Sequence, residues 1–367
     1  MILDHIDIID FKNIADAGLD FSRGVNCLLG MNGMGKSNLL EAIHFLSFAR
    51  PASSMPDSAL IRHGSRQSLV KGLYTADSGS REEVSVGLTA GKGKSLKLNG
   101  KEYQRMSEHI GRFPIVTVSP ADSRLVEGSG EERRRLTDMV ISQADPTYLG
   151  RLIRYNKALD SRNRMLRSGM RDPLLFESVE QTMTECSNAI YEARSRWTEA
   201  ISPVFTDYYR QVSGGAEKAS LAYRSQLDGT TLPELLRHSR EKDGILGYTS
   251  QGIHRDDLEM KLDGYSARRL GSQGQVKTFT IALRLAIFDY LKRARGVVPL
   301  LLLDDIFDKL DAERVSRIMG LVSTSSDFGQ IFITDTNRKH LDEILDNIGG
   351  ERLLLEVADG RFTRINT

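Results

Sequence analysis

The sequence contains few cysteines, and the two that it has lie far apart. Cys27 and Cys186 form no metal-binding or redox motif. Cys27 lies in an apolar run, where a small buried hydrophobic side chain is the simplest role. A chain of 367 residues with two isolated thiols suits a reducing compartment, so we expect a cytoplasmic protein.

Long apolar runs and a strong net charge are also missing. No run approaches the roughly 20 apolar residues that a membrane helix needs. Asp4, Asp7 and Asp10 interrupt the first apolar positions, so we expect no signal peptide. The formal net charge is only +1, which excludes a chain that coats DNA with uniform positive charge. Any nucleic-acid site must therefore come from a local patch.

One eight-residue stretch carries the clearest chemistry. It fits the phosphate-binding pattern G-x-x-x-x-G-K-[ST], with an apolar strand-like run before it and helical spacing after it. Glycines let backbone N–H groups turn around a phosphate, and the helix N-terminus adds its positive dipole end. Lys36 is predicted to reach the β- and γ-phosphates, and Ser37 to bind Mg²⁺. The predicted nucleotide-binding residues are Gly30, Met31, Asn32, Gly33, Met34, Gly35, Lys36 and Ser37.

Two carboxylates follow the apolar run at residues 300–303. Ligands of parallel α/β sheets bind beyond the carboxyl ends of the strands, so both side chains are expected to face the P-loop. Asp304 is predicted to orient Mg²⁺, usually through water. Asp305 is predicted to position or deprotonate the attacking water, which makes Lys36 and Asp305 the predicted catalytic residues. The alternative is a plain acidic turn, and the upstream P-loop favours the functional interpretation.

A third segment, residues 272–275, directly precedes a strong predicted helix at residues 276–293. Ser272 can cap that helix. A small, glycine-containing helix start is also an anion site. On local grounds an ordinary N-cap is as good an interpretation. The position of the segment, before a long helix and then an acidic strand end, favours a functional role.

The secondary structure predicted from the sequence changes twice along the chain. Residues 1–118 predict strands around one helix, with Asn99-Gly100 as a hairpin turn. Residues 119–245 predict long helices, and residues 246–367 return to an α/β pattern. This order predicts one α/β P-loop ATPase domain, lobe I, with a mixed sheet and helices. It is split by a mainly helical insertion, lobe II.

The order of the three motifs, followed by Lys309-Leu310-Asp311, resembles the ABC-type ATPases of the SMC class. Further stretches resemble the RecF family of bacterial recombination mediators, and the likeness spans nearly the whole chain. These stretches are IIDFKN at 8–13, NLLEAI at 38–43, SPAD at 119–122, EERRRL at 131–136 and GIHRDDL at 252–258. The chain departs from the family pattern at Ser37, where Thr is usual, and at Ile253, where Pro is usual.

The resemblance implies an ABC-type head that works as a nucleotide-gated clamp. ATP would bind between the P-loop of one chain and the signature residues of a second, which are Ser272, Gly274 and Gln275. Two ATP molecules would therefore join a head-to-tail homodimer. The resemblance also places Asp311 in a loop that crosses the dimer interface, and Asp122 near a loop that links the lobes.

Two departures bear on catalysis. ABC ATPases usually have Glu where Asp305 stands, and the shorter carboxylate suits a weak, slow ATPase. The predicted strand at residues 331–333 leads to Thr334 and Asp335 rather than to the histidine that ABC transporters place there. Thr334 is therefore the candidate γ-phosphate sensor.

The resemblance further implies an ATP-dependent DNA-binding protein of recombinational repair and replication restart, linked to the SOS response. Such a protein would use ATP and Mg²⁺ and bind single-stranded, gapped and duplex DNA. It would act with the mediators RecO and RecR, help to load the recombinase RecA, and have no membrane partner. Three alternatives stay open. One is an SMC-like structural ATPase head, which would need a far longer middle block. Another is a transporter-type head, which would need membrane partners and lacks the arginines of this helical insertion. The third is a non-catalytic adaptor whose nucleotide fixes its shape.

An arginine-rich segment is the candidate DNA surface. Residues 124–171 hold 11 Arg and Lys against 6 Asp and Glu, a local net charge of +5. Arginine suits phosphate contacts, but a solvated helix face with salt bridges is the ordinary alternative. The resemblance implies DNA contacts here without selecting among Arg133, Arg134, Arg135, Arg151, Arg154, Arg162, Arg164 and Arg167. Nearby, His254, Arg255, Asp256 and Asp257 are predicted to form a structural ion-pair cluster between lobes rather than a metal site.

Overall fold

The structure is a computed structural model that describes residues 1–53, 55–170, 172–215, 217–307, 310–324, 328–347 and 351–365. The chain forms two compact units. The first contains Met1–Asp122 and Leu283–Thr367, and the second contains Ser123–Ala282. The chain thus leaves the first unit once and returns to it once, as expected for an insertion.

The first unit contains a six-stranded antiparallel sheet with the order β2-β1-β4-β5-β6-β7. Its strands are β1 (Ile2–Phe11), β2 (Ile14–Asp20), β4 (Gln67–Thr75), β5 (Arg81–Thr89), β6 (Gly93–Leu98) and β7 (Lys101–Glu102). Alternate residues of β4 and β5 are buried, so one face of this sheet packs on the core. The predicted turn between β6 and β7 is confirmed, with Asn99 and Gly100 at φ of 50° and 75°.

A second six-stranded sheet in the same unit has the order β15-β14-β3-β13-β12-β8. Its strands are β3 (Val25–Leu29), β8 (Ile115–Val118), β12 (Leu300–Asp304), β13 (Ile331–Asp335), β14 (Arg352–Ala358) and β15 (Arg361–Ile365). All neighbours are parallel except the edge pair β14–β15. The strands β3, β12 and β13 are apolar and buried almost throughout, as expected for a sheet covered on both faces. The carboxyl ends of β3, β12 and β13 therefore meet at one edge.

Ten helices are described in the chain. They are α1 (Lys36–Phe48), α2 (Ser123–Glu127), α3 (Gly130–Ala144), α4 (Pro146–Arg167), α5 (Pro173–Ser213), α6 (Leu232–Leu246), α7 (Ala267–Leu270), α8 (Gln273–Arg295), α9 (Ala312–Thr324) and α10 (Arg338–Asn347). The start of α5 is capped, because the Asp172 side chain accepts a hydrogen bond from the N–H of Leu174 at 3.0 Å. None of the described helices is both long and apolar enough to cross a membrane.

The second unit holds α2–α7, the start of α8, and a small sheet with the order β11-β10-β9. Its strands are β9 (Ala219–Arg224), β10 (Asp257–Leu262) and β11 (Tyr265–Ser266). Because β9 pairs with β10, the chain up to residue 262 is tied to the helical unit. The boundary predicted near residue 245 therefore falls inside the second unit, and the unit boundary lies at Ala282 and Leu283. The limits of the functional lobes stay a prediction.

Candidate nucleotide-binding site

The predicted P-loop joins β3 to α1. Gly33 has a φ of 82° and Gly35 a φ of 113°, and Gly35 is the N-cap of the helix. These conformations favour glycine, because a Cβ atom makes positive φ costly for other residues. The loop therefore curls as its glycine spacing predicts, at the N-terminus of a 13-residue helix.

Lys36 is buried, with 6% of its surface exposed. Its Nζ donates hydrogen bonds to the carbonyl of Gly30 at 2.5 Å and to that of Met31 at 3.0 Å. Burial lowers the pKa of Lys36, and attraction to Asp305, Asp304 and Asp335 opposes that shift. The ammonium group thus rests on neutral loop carbonyls close to three carboxylates.

The strand end of β12 lies beside the P-loop helix. The Ser37 hydroxyl donates a hydrogen bond to Asp304 Oδ1 at 2.8 Å. Thr334, on β13, donates to the same oxygen at 2.8 Å and accepts a bond from the N–H of Asp305 at 3.0 Å. Asp305 has a φ of 47°, a strained conformation for a non-glycine residue that is typical of functional sites. The structure therefore brings Ser37, Asp304 and Asp305 together around Thr334.

A histidine that the sequence did not reveal lies near the same strand ends. The Nδ1 atom of His340 lies 3.0 Å from Asp335 Oδ2, and its ring packs edge-on against Phe307 with centroids 5.9 Å apart. No histidine follows β13 directly, as predicted. His340 instead comes from the first turn of α10, and only the fold brings it back to Asp335.

Asn13 and Asn38 form a hydrogen-bonded pair beside the P-loop that the sequence did not reveal. Asn38 Nδ2 donates a hydrogen bond to Asn13 Oδ1 at 2.7 Å. A Cβ atom on Gly35 would lie 2.9 Å from that oxygen, so this glycine permits a close approach. Both asparagines lie in stretches that resemble the RecF family, and the resemblance is the signal that could have singled them out.

The signature segment lies at the start of α8, in the second unit. The N–H of Ser272 donates to Gln275 Oε1 at 2.7 Å, and the N–H of Gln275 donates to Ser272 Oγ at 3.3 Å. This reciprocal pair is a capping box, so the predicted cap is confirmed. Gln275 also donates to Glu217 at 2.9 Å. Ser272 is exposed and Gly274 half-buried.

Two further residues predicted from the resemblance make local contacts in the first unit. Asp311 Oδ1 accepts a bond from the N–H of Arg314 at 2.8 Å, so Asp311 caps α9. The predicted Lys309 lies outside the described residues. Asp122 is buried and accepts two hydrogen bonds from the Arg284 guanidinium, at 2.6 and 3.1 Å. This ion pair joins the point where the chain leaves the first unit to the point where it returns.

The cations of the arginine-rich segment differ in burial, and Arg134 and Arg135 are half-buried, with Arg134 donating a 2.6 Å hydrogen bond to the carbonyl of Asp256. Arg133 forms a two-pronged ion pair with Asp257, at 2.6 and 2.8 Å. Arg162 is 1% exposed and bonds Glu180 at 2.9 Å and Asp243 at 2.8 Å. These two arginines are structural. The cations of α4 that are exposed instead are Arg151, Arg154, Lys157, Arg164 and Arg167.

His254 is held by neutral hydrogen bonds rather than by an ion pair between lobes. Its Nε2 lies 3.0 Å from the carbonyl of Thr249, and its Nδ1 lies 2.9 Å from the hydroxyl of Tyr155. Both partners belong to the second unit. Burial lowers the pKa of His254 to about 4, so the ring is neutral at pH 7. Among the residues that the structure describes, no cluster of His, Cys, Asp and Glu could hold a metal ion.

A P-loop on a mostly parallel sheet, an Asp-Asp strand end beside it and a capped signature helix define an ABC-type ATPase head. The chain belongs to the RecF/RecN/SMC N-terminal domain family, whose model matches residues 2–352, and to the RecF proteins within it. The DNA replication and repair protein RecF of Porphyromonas gingivalis is 50% identical over 363 residues, which span 99% of this chain and 100% of that relative.

Solved structures agree with this assignment. The recombination mediator protein RecF with ATP, from the RecFOR pathway, superposes with a TM-score of 0.89 at 27% identity, covering 100% of this chain and 98% of that one. An Smc head bound to the C-winged helix domain of ScpA superposes with a TM-score of 0.62 at 17% identity, covering 100% and 97%. The second likeness shows the shared fold alone.

Proposed function

We propose that this chain is an ATP-dependent DNA-binding protein of recombinational repair and replication restart. One observation carries the proposal. The P-loop hydroxyl of Ser37 and the carboxylate of Asp304 are hydrogen-bonded at 2.8 Å beside a buried lysine, on a fold shared with RecF bound to ATP. Such an arrangement suits a nucleoside triphosphate with its metal ion. A role in DNA repair places the protein in the cytoplasm.

In this proposal, each residue of the site has a distinct part in ATP hydrolysis. Lys36 releases its loop carbonyls and binds the β- and γ-phosphates. The adjacent oxygens of Ser37 and Asp304 fit Mg²⁺, which prefers hard oxygen ligands. Bound Mg²⁺ would neutralise charge on the phosphates. Asp305, held through its N–H by Thr334, orients the attacking water. Thr334 would then sense the γ-phosphate through its bonds to the Asp304 carboxylate and the Asp305 N–H.

The proposed switch needs a second copy of the chain. The signature residues Ser272 and Gly274 lie at a helix N-terminus, which favours an anion. A second copy would present this helix start to the γ-phosphate bound at the first P-loop, with Asp311 at the interface. Loss of the γ-phosphate weakens that bridge, so the dimer is biased by the differential affinity of its two states for ATP. Weak ATP hydrolysis would then set how long the dimer lasts before its two copies separate.

The exposed cations of α4 are the proposed DNA contacts. They are exposed side chains on one helix, and Arg and Lys suit phosphate oxygens. We exclude Arg133 and Arg162, because their charges are already neutralised inside the second unit. Backbone contacts of this kind suit single-stranded, gapped and duplex DNA alike. Partnership with RecO and RecR, and loading of RecA, are part of the proposal.

The test is DNA binding with and without ATP. Fluorescence anisotropy on single-stranded, gapped and duplex DNA should show tighter binding with Mg-ATP, and light scattering should show ATP-induced dimers. Lys36→Met should abolish both ATP effects while leaving the DNA affinity seen without nucleotide. Dimers that still form with ATP in this variant would contradict the clamp.

A second variant separates an ATPase from a non-catalytic adaptor. Asp305→Asn removes the proposed catalytic carboxylate but keeps its size. We expect phosphate release to fall while ATP-induced dimers persist or accumulate. Unchanged turnover would show that Asp305 is not the catalytic group.

A further inference from the structure

The C-terminal hairpin β14–β15 touches the P-loop at two places. β14 runs parallel to β3, with Glu356 opposite Leu29. A Cβ atom on Gly30 would lie 2.4 Å from the carbonyl oxygen of Val357, so the first glycine of the loop lies directly against β14. Farther along, the N–H of Gly360, in the hairpin turn, donates a 2.8 Å hydrogen bond to the carbonyl of Met34.

The second contact bears on phosphate binding through the geometry of one peptide unit. The carbonyl of Met34 and the N–H of Gly35 belong to the same planar trans peptide, so they point in opposite directions. A bond that holds the Met34 carbonyl on the hairpin side therefore turns the Gly35 N–H to the other side. In a P-loop, inward backbone N–H groups of this kind form the phosphate cradle.

The backbone of the hairpin turn is tightly specified. Asp359 and Gly360 have φ of 49° and 73°, the values of a type I′ turn. A Cβ atom on Gly360 would lie 2.5 Å from the backbone carbonyl oxygen of Asn13. The side chain of Asn13 lies against Gly35 of the P-loop, since a Cβ atom there would be 2.9 Å from Asn13 Oδ1. Asn13 thus contacts both the turn and the P-loop.

We propose that the Asp359-Gly360 turn positions the P-loop for ATP, with Gly360 acting as a positioning residue through Met34 and Gly35. The inference rests on the proposed nucleotide site and deepens it. It assigns a part in ATP binding to a segment outside every motif of the nucleotide site. Gly360 would act only through its bond to Met34, and by placing the Gly35 N–H it should change ATP affinity.

The chain offers a matched control for this proposal. The Asn99-Gly100 turn between β6 and β7 has φ of 50° and 75°, nearly the same as the Asp359-Gly360 turn. A Cβ atom on Gly100 would meet nothing within 4 Å among the described residues. Gly100→Ala and Gly360→Ala therefore introduce the same backbone strain, and only the second pushes on the P-loop support.

The experiment compares mant-ATP binding by the full-length chain and these two variants, with Mg²⁺ present. Gly360→Ala should raise the dissociation constant at least about tenfold, and Gly100→Ala should change it less than about twofold. In ATP hydrolysis, Gly360→Ala should raise KM more than it lowers kcat. Equal affinities in the two variants would overturn the proposal. No binding by the unchanged chain would overturn the nucleotide site itself, and this inference with it.

A measurement without substitution covers the case in which Gly360→Ala does not fold. Hydrogen exchange should slow at residues 358–361 when mant-ATP binds, because a filled P-loop holds the Met34 carbonyl in place. The turn at residues 98–101 should exchange at the same rate with and without nucleotide. Unchanged exchange at residues 358–361, with mant-ATP bound, would overturn the proposal.

Discussion

Lys36 and Arg162 are two buried cations with opposite surroundings. Lys36, in the first unit, donates to two neutral carbonyls of its own loop. Arg162, in the second unit, bonds the carboxylates of Glu180 and Asp243 and the hydroxyl of Thr249. The charge of Arg162 is neutralised inside the fold, whereas that of Lys36 is matched only partly by carboxylates at longer range.

The difference teaches how to separate a binding cation from a structural one. A cation held by exchangeable neutral oxygens can turn to an anionic ligand without leaving a carboxylate unpaired. A cation in a buried ion pair cannot, because breaking the pair leaves an uncompensated charge. The same distinction separates the structural arginines of the second unit from the exposed ones. Amino-acid composition alone could not separate them.

The largest expected effect tests this contrast directly. Arg162→Met leaves the buried Asp243 without its cation, while Glu180 keeps Arg240, so the free energy of unfolding should fall by about 3–5 kcal/mol. Lys36→Met removes a buried ammonium from neutral partners and should change it by less than about 1 kcal/mol, because the lost hydrogen bonds are offset by relief of desolvation. Urea denaturation of both variants measures this. Similar losses in the two would refute the distinction.

A pH dependence extends the contrast to His254. Its folded pKa, about 4, lies below the unfolded value of about 6.5, so the unfolded chain takes up the proton first. The contribution of His254 to stability is thus present above pH 6.5 and is lost as the pH falls through 4. It amounts to about 3 kcal/mol.

The measurement is the free energy of unfolding of the unchanged chain and of His254→Gln between pH 7 and pH 4. The variant should show a shallower loss, because Gln does not titrate. Parallel profiles would mean that His254 is not the group responsible. Other titrating groups contribute equally to both proteins, so the difference between the profiles isolates this ring.

A smaller effect is expected for Thr334, which lies with Lys36 in the candidate nucleotide site of the first unit. Thr334→Val keeps the shape but removes the hydroxyl that joins Asp304 to the N–H of Asp305. We expect steady-state phosphate release to fall about tenfold, or ~1.4 kcal/mol, from the misplaced carboxylates. Thr334→Ser keeps the hydroxyl and should retain most of the rate. A fully active Val variant would show that the bridge has no part in turnover.

Local sequence chemistry predicted much of the fold. The turn at Asn99-Gly100 follows from a pattern of two residues, and the structure confirms it. The glycine spacing of the P-loop likewise predicts its conformation. In each case, the residues that decide the structure are adjacent in the chain.

Long-range contacts were beyond the same reasoning. The bridge from Thr334 to Asp304 depends on the register of β12 and β13, and Gly360 reaches Met34 across 326 positions of the chain. Arg162 looks the same as Arg164 in the sequence, yet one is buried and the other exposed. Such differences depend on how the helices pack against one another. Residue types alone do not specify that packing.

The smallest expected effect concerns the exposed cations of α4. If they bind DNA phosphates, Arg151→Gln and Lys157→Gln should each lower the salt slope of DNA binding by about one, while their stability changes by less than about 0.5 kcal/mol. Arg210→Gln, at an exposed site near the end of α5, removes the same charge and should leave the slope unchanged. Anisotropy titrations from low to moderate salt measure it. If the salt slope falls equally in all three variants, DNA binding depends only on the net charge of the chain. The cations of α4 then make no particular contribution to binding. A fall in the salt slope confined to the α4 variants would mean that the exposed cations of α4 contact DNA phosphates.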